Sequence, residues 1–203
     1  AGRLARLGAT PDFHHGLLRC LRVELVDRPA IEEPHAASGR IAPHTIRVGL
    51  VADTHGLFRP AIAQVFSGVD VIVHAGDVGH PSVLARLAQL APVEAVFGNV
   101  DDAHDPRLAR QRALPVGGLL LHVSHGHELG SPTPARLAAR YTADIIVFGH
   151  THRAVVTSVT ENGRSTLVIN PGAAGPRRFD LCPSVAILTV TAGQAEARIV
   201  ELE

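Results

Sequence analysis

The chain contains no lysine, methionine or tryptophan, and its 203 residues include a single tyrosine. Because aromatic residues make up only 3% of the sequence, the core must be built from alanine, valine, leucine and isoleucine. Arginine supplies all 19 positive charges, and 19 acidic residues balance them. A formal net charge of zero gives no overall attraction to nucleic acid or to an anionic membrane. The composition is that of a globular protein.

Cysteines and long apolar runs are also scarce. The two cysteines, Cys20 and Cys182, lie far apart in the chain, which does not predict a disulfide framework. No apolar run reaches the roughly 20 residues that a membrane-spanning helix needs. No signal-peptide apolar region follows the basic first residues. We therefore expect a cytoplasmic protein without a membrane partner.

Five apolar runs nevertheless share one pattern, because each ends in Asp, Asn or His beside a glycine. The runs are residues 46–52, 71–75, 93–97, 119–124 and 144–148. They lead into Asp53-Thr54-His55-Gly56, Gly76-Asp77, Gly98-Asn99, His125-Gly126-His127 and Gly149-His150-Thr151-His152. Such runs predict buried strands, and sites in open α/β sheets form at the carboxyl ends of strands. We expect these polar side chains to meet in one place.

Taken alone, each of these pieces has an ordinary structural explanation. A Gly-Asp pair is a common turn, and Asn99 after a glycine fits an Asx turn. Two imidazoles directly after a buried strand, as at His150 and His152, are costly to bury unless something uses them. Together, the five strand ends favour a metal site. His74, which lies within a run, fits a core histidine instead.

The amino-terminal part of the chain differs from the rest. Residues 1–44 are punctuated by prolines and include the loop-like stretch 32–35. This composition predicts an extension or linker before a domain at 45–203. Within this extension, residues 17–26 fit either a short helix or a strand. The extension is therefore either a peripheral appendage or an edge strand or arm that joins a homo-oligomer.

The domain itself shows alternating strand and helix patterns followed by hairpins. Helices are predicted at 58–67, 81–91 and 134–141, with proline accepted in a first turn, whereas residues 105–112 fit a helix or an irregular loop. After residue 152, Asn-Gly and Ala-Gly pairs mark two antiparallel hairpins. The fold class expected is α/β, with two mixed β-sheets packed face to face and helices on the outside.

The order of these motifs resembles the calcineurin-like metallophosphoesterase superfamily. It reads D-x-H, G-D, G-N-x-D, H-G-H and G-H-T-H from residue 53 to residue 152. The small size and Asn170-Pro171-Gly172 followed by Pro176-Arg177 are similar to the compact bacterial and archaeal phosphodiesterase branch. The resemblance covers about residues 46–203 and implies the αββα sandwich of that superfamily.

The resemblance also implies a site for two metal ions. One would be held by Asp53, His55, Asp77 and His152, and the other by Asp77, Asn99, His125 and His150. A shared carboxylate, here Asp77, can hold two cations about 3.5–4 Å apart, and such a pair clamps the attacking and leaving oxygens of a phosphoryl displacement. Nitrogen and oxygen ligands without cysteine favour manganese, iron, zinc or nickel over magnesium alone, and we expect manganese.

Further roles follow from the same resemblance. Asp77 and Asn99 act at the reacting phosphate, Asp101 orients a ligand or a neighbouring histidine, and His127 is the remaining catalytic candidate. Candidate substrate contacts are Asn99, His127 and Arg177, with the adjacent Arg178 as a further arginine within reach of a phosphate.

The implied function is a dinuclear metal-dependent phosphodiesterase, in which a metal-bridging hydroxide attacks a small phosphodiester or a nucleotide. No basic, aromatic-lined tract argues for a long nucleic acid. Val100 stands where many superfamily members have a histidine. One alternative is a protein-interaction scaffold, as in the retromer subunit of this fold, although here every matching position holds a metal-capable residue. A phosphomonoesterase or nucleotide pyrophosphohydrolase using the same site is the other alternative.

Overall fold

The structure, a computed structural model, describes residues 44–178 and 180–202. The predicted extension, including residues 17–26, lies outside the described residues and stays a prediction. In chain order the elements are β1 (Thr45–Val51), α1 (Ala61–Val65), β2 (Val71–His74), α2 (Pro81–Leu87), β3 (Val93–Ala95), β4 (Gln111–Val116), β5 (Leu119–Ser124), a 3₁₀-helix (His127–Leu129), α3 (Pro134–Arg140), β6 (Ile145–Val147), β7 (Val155–Glu161), β8 (Arg164–Asn170), β9 (Ser184–Thr191) and β10 (Gln194–Glu201). None of the described helices is long and apolar enough to cross a membrane.

The strands form two mixed five-stranded sheets, in the orders β10-β9-β1-β2-β3 and β4-β5-β6-β8-β7. In the first sheet, β1, β2 and β3 run parallel, and β9 and β10 continue the sheet in antiparallel fashion. In the second, β5, β6 and β8 run parallel between the antiparallel edge strands β4 and β7. The carboxyl ends of β1, β2, β3, β5 and β6 are therefore the places where a shared site is expected.

Three apolar layers hold the sheets and helices together. Between the sheets, Leu50 and Val73 belong to the same buried cluster as Leu121 and Val147. α1 and α2 cover the outer face of the first sheet, and α3 covers the second through the buried Leu137. The prediction of two face-to-face sheets with helices outside is confirmed. Aliphatic side chains dominate these layers, as the shortage of aromatic residues requires.

One strand differs from the sequence-based expectation. Residues 105–110 form turns and an isolated bridge between Val96 and Ala109 rather than a helix, and β4 begins at Gln111 and pairs with β5 as an edge strand. Because β4 begins with polar residues and contains Pro115, its sequence lacks the alternating pattern that predicts a strand. An edge strand nevertheless tolerates proline, because one side of it needs no hydrogen-bond partner. α1 and α2 are also shorter than predicted. After α2 the chain tightens, and Leu90 N–H donates to Leu87 O at 2.9 Å, an i→i+3 bond of the kind that ends many helices.

Both predicted hairpins are present, and their turns have the geometry that their residues favour. Asn162 and Gly163 have φ angles of 51° and 78°, and Ala192 and Gly193 have φ angles of 49° and 74°. Positive φ at both central residues is the type I′ arrangement, whose twist matches that of paired strands. The hairpins therefore fix the register of β7 with β8 and of β9 with β10.

Candidate metal centre

The ends of strands from both sheets meet at one point. After β1 and β2, Asp53 N–H donates to Gly76 O at 3.0 Å, which keeps these two loops side by side. From the second sheet, the His125 Nδ1–H group donates to Ala75 O at 2.8 Å. Gly149, after β6, donates its N–H to His125 O at 3.1 Å. The candidate site therefore lies across the junction of the two sheets.

The backbone at this junction adopts conformations that are uncommon for residues with side chains. Among the described non-glycine residues, seven have positive φ, and five of these are candidate ligands: Asp53, His55, Asp77, His150 and His152. Left-handed backbone at such residues costs free energy and persists only where the surroundings impose it. Its concentration here indicates that the fold turns these side chains toward a common point.

The first cluster contains four of the predicted ligands. Asp53, His55, Asp77 and His152 each offer one ligand atom, and all four atoms lie within 4.8 Å of one another. Asp53 Oδ1 is 3.2 Å from His152 Nε2, and His152 Nε2 is 3.4 Å from His55 Nε2. His55 Nε2 is 3.7 Å from Asp77 Oδ2. The two carboxylates are buried, whereas the two imidazoles are partly exposed.

A second cluster lies against the other oxygen of Asp77. His125 Nε2 is 3.4 Å from Asp77 Oδ1 and 3.3 Å from Asn99 Oδ1. His150 Nδ1 is 3.0 Å from the same Asn99 oxygen. The seven predicted ligands therefore come together, in two groups that Asp77 separates with its two carboxylate oxygens.

The residues present fit a bound cation. Among the described residues, Asp53 Oδ2 is buried and has no hydrogen-bond partner. A buried carboxylate oxygen without a partner is strongly unfavourable, and a divalent ion beside it would remove that cost. Carboxylate, amide and imidazole donors without cysteine suit first-row transition metals. The chemistry of the donor set and the unpartnered oxygen thus agree.

The surroundings of Asp77 favour the ionised form of its carboxylate. Burial by itself raises the pKa of Asp77, but the hydrogen bond and charge of His125, the Val100 N–H and the charge of His55 outweigh it and lower this pKa to about 2. For His125, burial acts to lower the pKa, yet Asp77 and Asp53 raise it overall. Burial lowers the pKa of His55. Ligands bind metal in their deprotonated forms, so Asp77 and His55 favour metal binding at neutral pH.

A buried histidine, His74, is hydrogen-bonded to the loop that carries Asp53. His74 is fully buried, and its Nδ1 accepts from Gly76 N–H at 3.3 Å. The Nε2–H therefore donates to Thr54 Oγ1 at 2.9 Å, and the Thr54 hydroxyl donates to Val78 O at 3.0 Å. Burial lowers the pKa of His74 to about 4. His74 thus acts as the core histidine that the sequence indicates, in one neutral tautomer.

Asp101 contacts backbone groups. Its Oδ2 accepts from Val78 N–H at 3.0 Å and from Gly98 N–H at 2.8 Å, and its Oδ1 accepts from Gly79 N–H at 2.8 Å. The carboxylate ties the loop after β3 to the loop after β2, which places Asn99 beside Asp77. No histidine is among these partners, so any part that Asp101 has in orienting the site acts through the backbone.

As Asp101 does for the loop after β3, Asn170 holds the loop after β6 through hydrogen bonds. This role was not predicted from the sequence. Asn170 Nδ2 donates to Gly149 O at 2.9 Å and to Thr151 Oγ1 at 3.0 Å, and its Oδ1 accepts from Gly172 N–H at 2.9 Å. These bonds hold the loop that carries His150 and His152. The signal was present in the Asn-Pro-Gly motif, but only the fold shows what the asparagine contacts.

His127 lies at the rim of the second cluster. Its ring centroid is 5.4 Å from that of His125 and 6.4 Å from that of His150. The adjacent Glu128 accepts from Tyr141 Oη–H at 2.6 Å and from Gly126 N–H at 3.0 Å, which fixes the 3₁₀-helix that presents His127. Its predicted catalytic and substrate roles stay predictions.

The two arginines after the Asn-Pro-Gly motif line one cavity beside His152 but differ in their contacts. Arg178 Nη2 lies 3.4 Å from His55 Nε2. Arg177, the predicted substrate contact, is exposed; it lines one cavity with Arg59 and Glu201 and another with His152 and Arg178. The structure therefore gives Arg178 a direct contact with a candidate ligand, whereas the substrate contact of Arg177 stays a prediction. Nothing in an Arg-Arg pair distinguishes the two residues before the fold is known.

Family comparison agrees with this geometry. The model of the calcineurin-like phosphoesterase superfamily domain matches residues 46–193, and the chain belongs to this superfamily. A probable metallophosphoesterase of Methanothermobacter thermautotrophicus is 31% identical over 162 residues, which cover 75% of this chain and 91% of the relative. A probable metallophosphoesterase of Methanocaldococcus jannaschii is 32% identical over 170 residues, covering 78% of this chain and 83% of the relative.

Solved structures show the same fold. Vacuolar Protein Sorting 29 from Cryptosporidium parvum superposes with a TM-score of 0.63 at 21% identity, covering 78% of this chain and 98% of the other. The Escherichia coli phosphoesterase Yfce superposes with a TM-score of 0.56 at 26% identity, covering 70% of this chain and 88% of the other. The predicted fold of two mixed sheets with outer helices is thus the fold of known metallophosphoesterases.

Proposed function

We propose that this protein is a dinuclear metal-dependent phosphodiesterase that hydrolyses a small phosphodiester or a nucleotide. The observation that carries the proposal is the position of Asp77. Its Oδ2 faces His55 at 3.7 Å, and its Oδ1 faces His125 at 3.4 Å. A carboxylate between two groups of metal-capable side chains is the arrangement that a bridging ligand requires.

When bound, two divalent cations, of which manganese is our first choice and iron, zinc or nickel the alternatives, would polarise the phosphoryl oxygens and lower the pKa of an attacking water. The side chains of this chain set the charge of that site. Asp53 and Asp77 are its two carboxylates, and the remaining ligands are neutral when deprotonated. Two carboxylates offset only half of the charge of two divalent cations, which leaves the site attractive to a phosphate ester.

The remaining groups would position the ester. Asn99 offers a neutral amide oxygen between His125 and His150, and so adds a ligand without adding negative charge that would repel the substrate. Its amide nitrogen and the His127 ring can each donate to a phosphoryl oxygen. Water would attack phosphorus directly while the bond from phosphorus to the leaving ester oxygen breaks, and that oxygen would take up the proton that water releases, so no covalent intermediate with the protein is needed.

Two features support a small substrate in the cytoplasm. The formal net charge of zero gives no general attraction to a polyanion, so we propose no long nucleic acid as substrate. The distant Cys20 and Cys182 suit a reducing compartment, which supports the proposed cytoplasmic location. The metals and the residues around them would recognise the ester group.

Hydrolysis of two model esters tests the proposal. Metal-free protein, prepared with a chelator and then dialysed, is assayed with bis-p-nitrophenyl phosphate and with p-nitrophenyl phosphate, with and without added manganese. We expect manganese-dependent hydrolysis that is faster with the diester, and loss of this activity in Asp77→Asn. Hydrolysis of the monoester alone would replace the proposal with a phosphomonoesterase, and no hydrolysis of either ester would contradict an enzymatic role.

A further inference from the structure

Arg178 lies beside the first cluster, and among the described residues its side chain contacts a histidine rather than a carboxylate. Arg178 Nη2 lies 3.4 Å from His55 Nε2. Within residues 44–178 and 180–202, the structure gives the Arg178 side chain no carboxylate partner. A guanidinium binds most strongly to carboxylates and phosphates, whose paired oxygens match its fork of N–H groups. An imidazole nitrogen uses little of that capacity.

The loop that carries Arg178 is fixed by specific contacts. Gly175 N–H donates to Asp53 O at 3.1 Å, and Arg59 Nη2 donates to Gly175 O at 3.1 Å. A Cβ atom at Gly175 would clash with Thr54 O, so only glycine allows this approach. Beyond it, Leu181 N–H donates to Arg178 O at 3.1 Å. The position of Arg178 beside the cluster is therefore built into the loop.

The contact with His55 conflicts with metal binding. The neutral imidazole has one free lone pair, and at Nε2 this lone pair can accept from Arg178 or bind a cation, but not both. A bound cation would also place a second positive charge beside the guanidinium. Both effects would leave Arg178 without its partner once a metal is bound. An anion with several oxygens can bind the arginine and the metal at the same time.

We infer that Arg178 binds a nonbridging oxygen of the phosphoryl group, and that in the metal-free protein it competes with the metal for His55. The inference rests on the proposed function, since it assigns a residue to recognition of the same ester. It has a thermodynamic consequence. Because phosphate gives Arg178 a new partner, phosphate must strengthen metal binding, and metal must strengthen phosphate binding by the same factor.

Calorimetric titrations test this coupling without using activity. Manganese is titrated into the metal-free full-length chain with and without inorganic phosphate, in the wild type and in Arg178→Gln. We expect phosphate to tighten manganese binding by roughly 5-fold or more in the wild type, and by a clearly smaller factor in the variant, where phosphate would still contact the metal but not Arg178. Without phosphate, Arg178→Gln is expected to bind manganese at least as tightly as the wild type.

Two further variants make the result specific. Arg178→Lys keeps the charge but loses the fork of donors, so it should retain part of the coupling. Arg198→Gln removes the same charge from an exposed position on β10 and should retain all of it. Unchanged coupling in Arg178→Gln overturns the inference, as does loss of coupling in Arg177→Gln alone. A wild type in which phosphate does not tighten manganese binding overturns it as well.

The outcome is separable from that of the proposed function. If the wild type hydrolyses neither model ester but its phosphate coupling depends on Arg178, the enzymatic proposal fails and the inference stands. If the wild type hydrolyses the diester and the coupling does not depend on Arg178, the inference fails and the enzymatic proposal stands.

Discussion

Asp53 Oδ1 lies 3.2 Å from Nε2 of His152, although Asp53 follows a strand of the first sheet and His152 follows a strand of the second. The same is true of Asp77 and His125, whose nearest side-chain atoms are 3.4 Å apart. Each candidate metal position thus takes ligands from both sheets. The site exists only when the two sheets are packed together, so sheet packing and metal binding should stabilise each other.

Replacement of Asp101 should disturb the site through the backbone. In Asp101→Asn, an amide NH₂ group would face backbone N–H donors that now have carboxylate acceptors, at Val78, Gly79 or Gly98. We expect the free energy of unfolding to fall by about 1–3 kcal/mol and diester hydrolysis to fall as Asn99 moves from Asp77. Urea denaturation and steady-state kinetics measure the two effects.

The neighbouring Asp102 provides the matched control for this change. Its side chain is 73% exposed, and Asp102→Asn should alter the free energy of unfolding by no more than about 0.5 kcal/mol. If the variants at 101 and 102 behave alike, the hydrogen bonds of Asp101 do not position the loop, and the account of this residue is wrong.

Asn170→Ala should weaken metal binding without removing a ligand. The change deletes the bonds to Gly149, Thr151 and Gly172 and leaves the buried Gly149 carbonyl without this donor. Because the loop then holds its histidines less firmly, we expect about a 10- to 100-fold loss of manganese affinity, measured by calorimetry. Asn162→Gly, at an exposed hairpin turn with positive φ, is the control and should bind manganese normally. Equal affinities of the two variants would exclude a positioning role for Asn170.

The buried His74 predicts a loss of stability in mild acid. Its pKa in the folded chain is lowered to about 4 from the ordinary value of 6.5, so the unfolded chain takes up a proton first as the pH falls. The contribution of His74 is complete above pH 6.5 and is lost between 6.5 and about 4. One pKa unit corresponds to about 1.4 kcal/mol, so the loss approaches ~3 kcal/mol.

Urea denaturation of metal-free protein at pH 7 and at pH 5 measures this effect. His74→Asn does not titrate in this range, so its free energy of unfolding should fall less between the two pH values than that of the wild type, even if it is lower at pH 7. His104→Asn, at an exposed position, should follow the wild type. An equal fall in wild type and His74→Asn would show that other groups cause the acid sensitivity.

The sequence predicts most of the fold because the signals are local. Buried strands such as β1 and β2 appear as apolar runs, and the turn at Asn162-Gly163 carries its own conformational preference. β4 could not be predicted in this way, because its partner β5 and its edge position make Pro115 acceptable. The lengths of α1 and α2 likewise depend on how the chain leaves the helix to pack against the sheet.

The candidate ligands were also predictable, because they follow strand ends within short motifs. Their supports were not. Asn170 acts on a loop that follows a different strand, and Arg178 reaches His55 only because Gly175 approaches the backbone of Asp53 and Thr54. Such relationships join distant parts of the chain, so they become visible only when both sheets are in place. The predicted catalytic roles of Asn99 and His127 stay predictions that kinetics must test.

The most direct test of the account is the metal content of Asp77→Ala, compared with that of His152→Ala and the wild type. Each protein is loaded with manganese, freed of excess metal by gel filtration and measured by elemental analysis. Because Asp77 faces both clusters, we expect about two ions per chain in the wild type, about one in His152→Ala and almost none in Asp77→Ala. Equal retention by the two variants would contradict the bridging position of Asp77, and with it the dinuclear site.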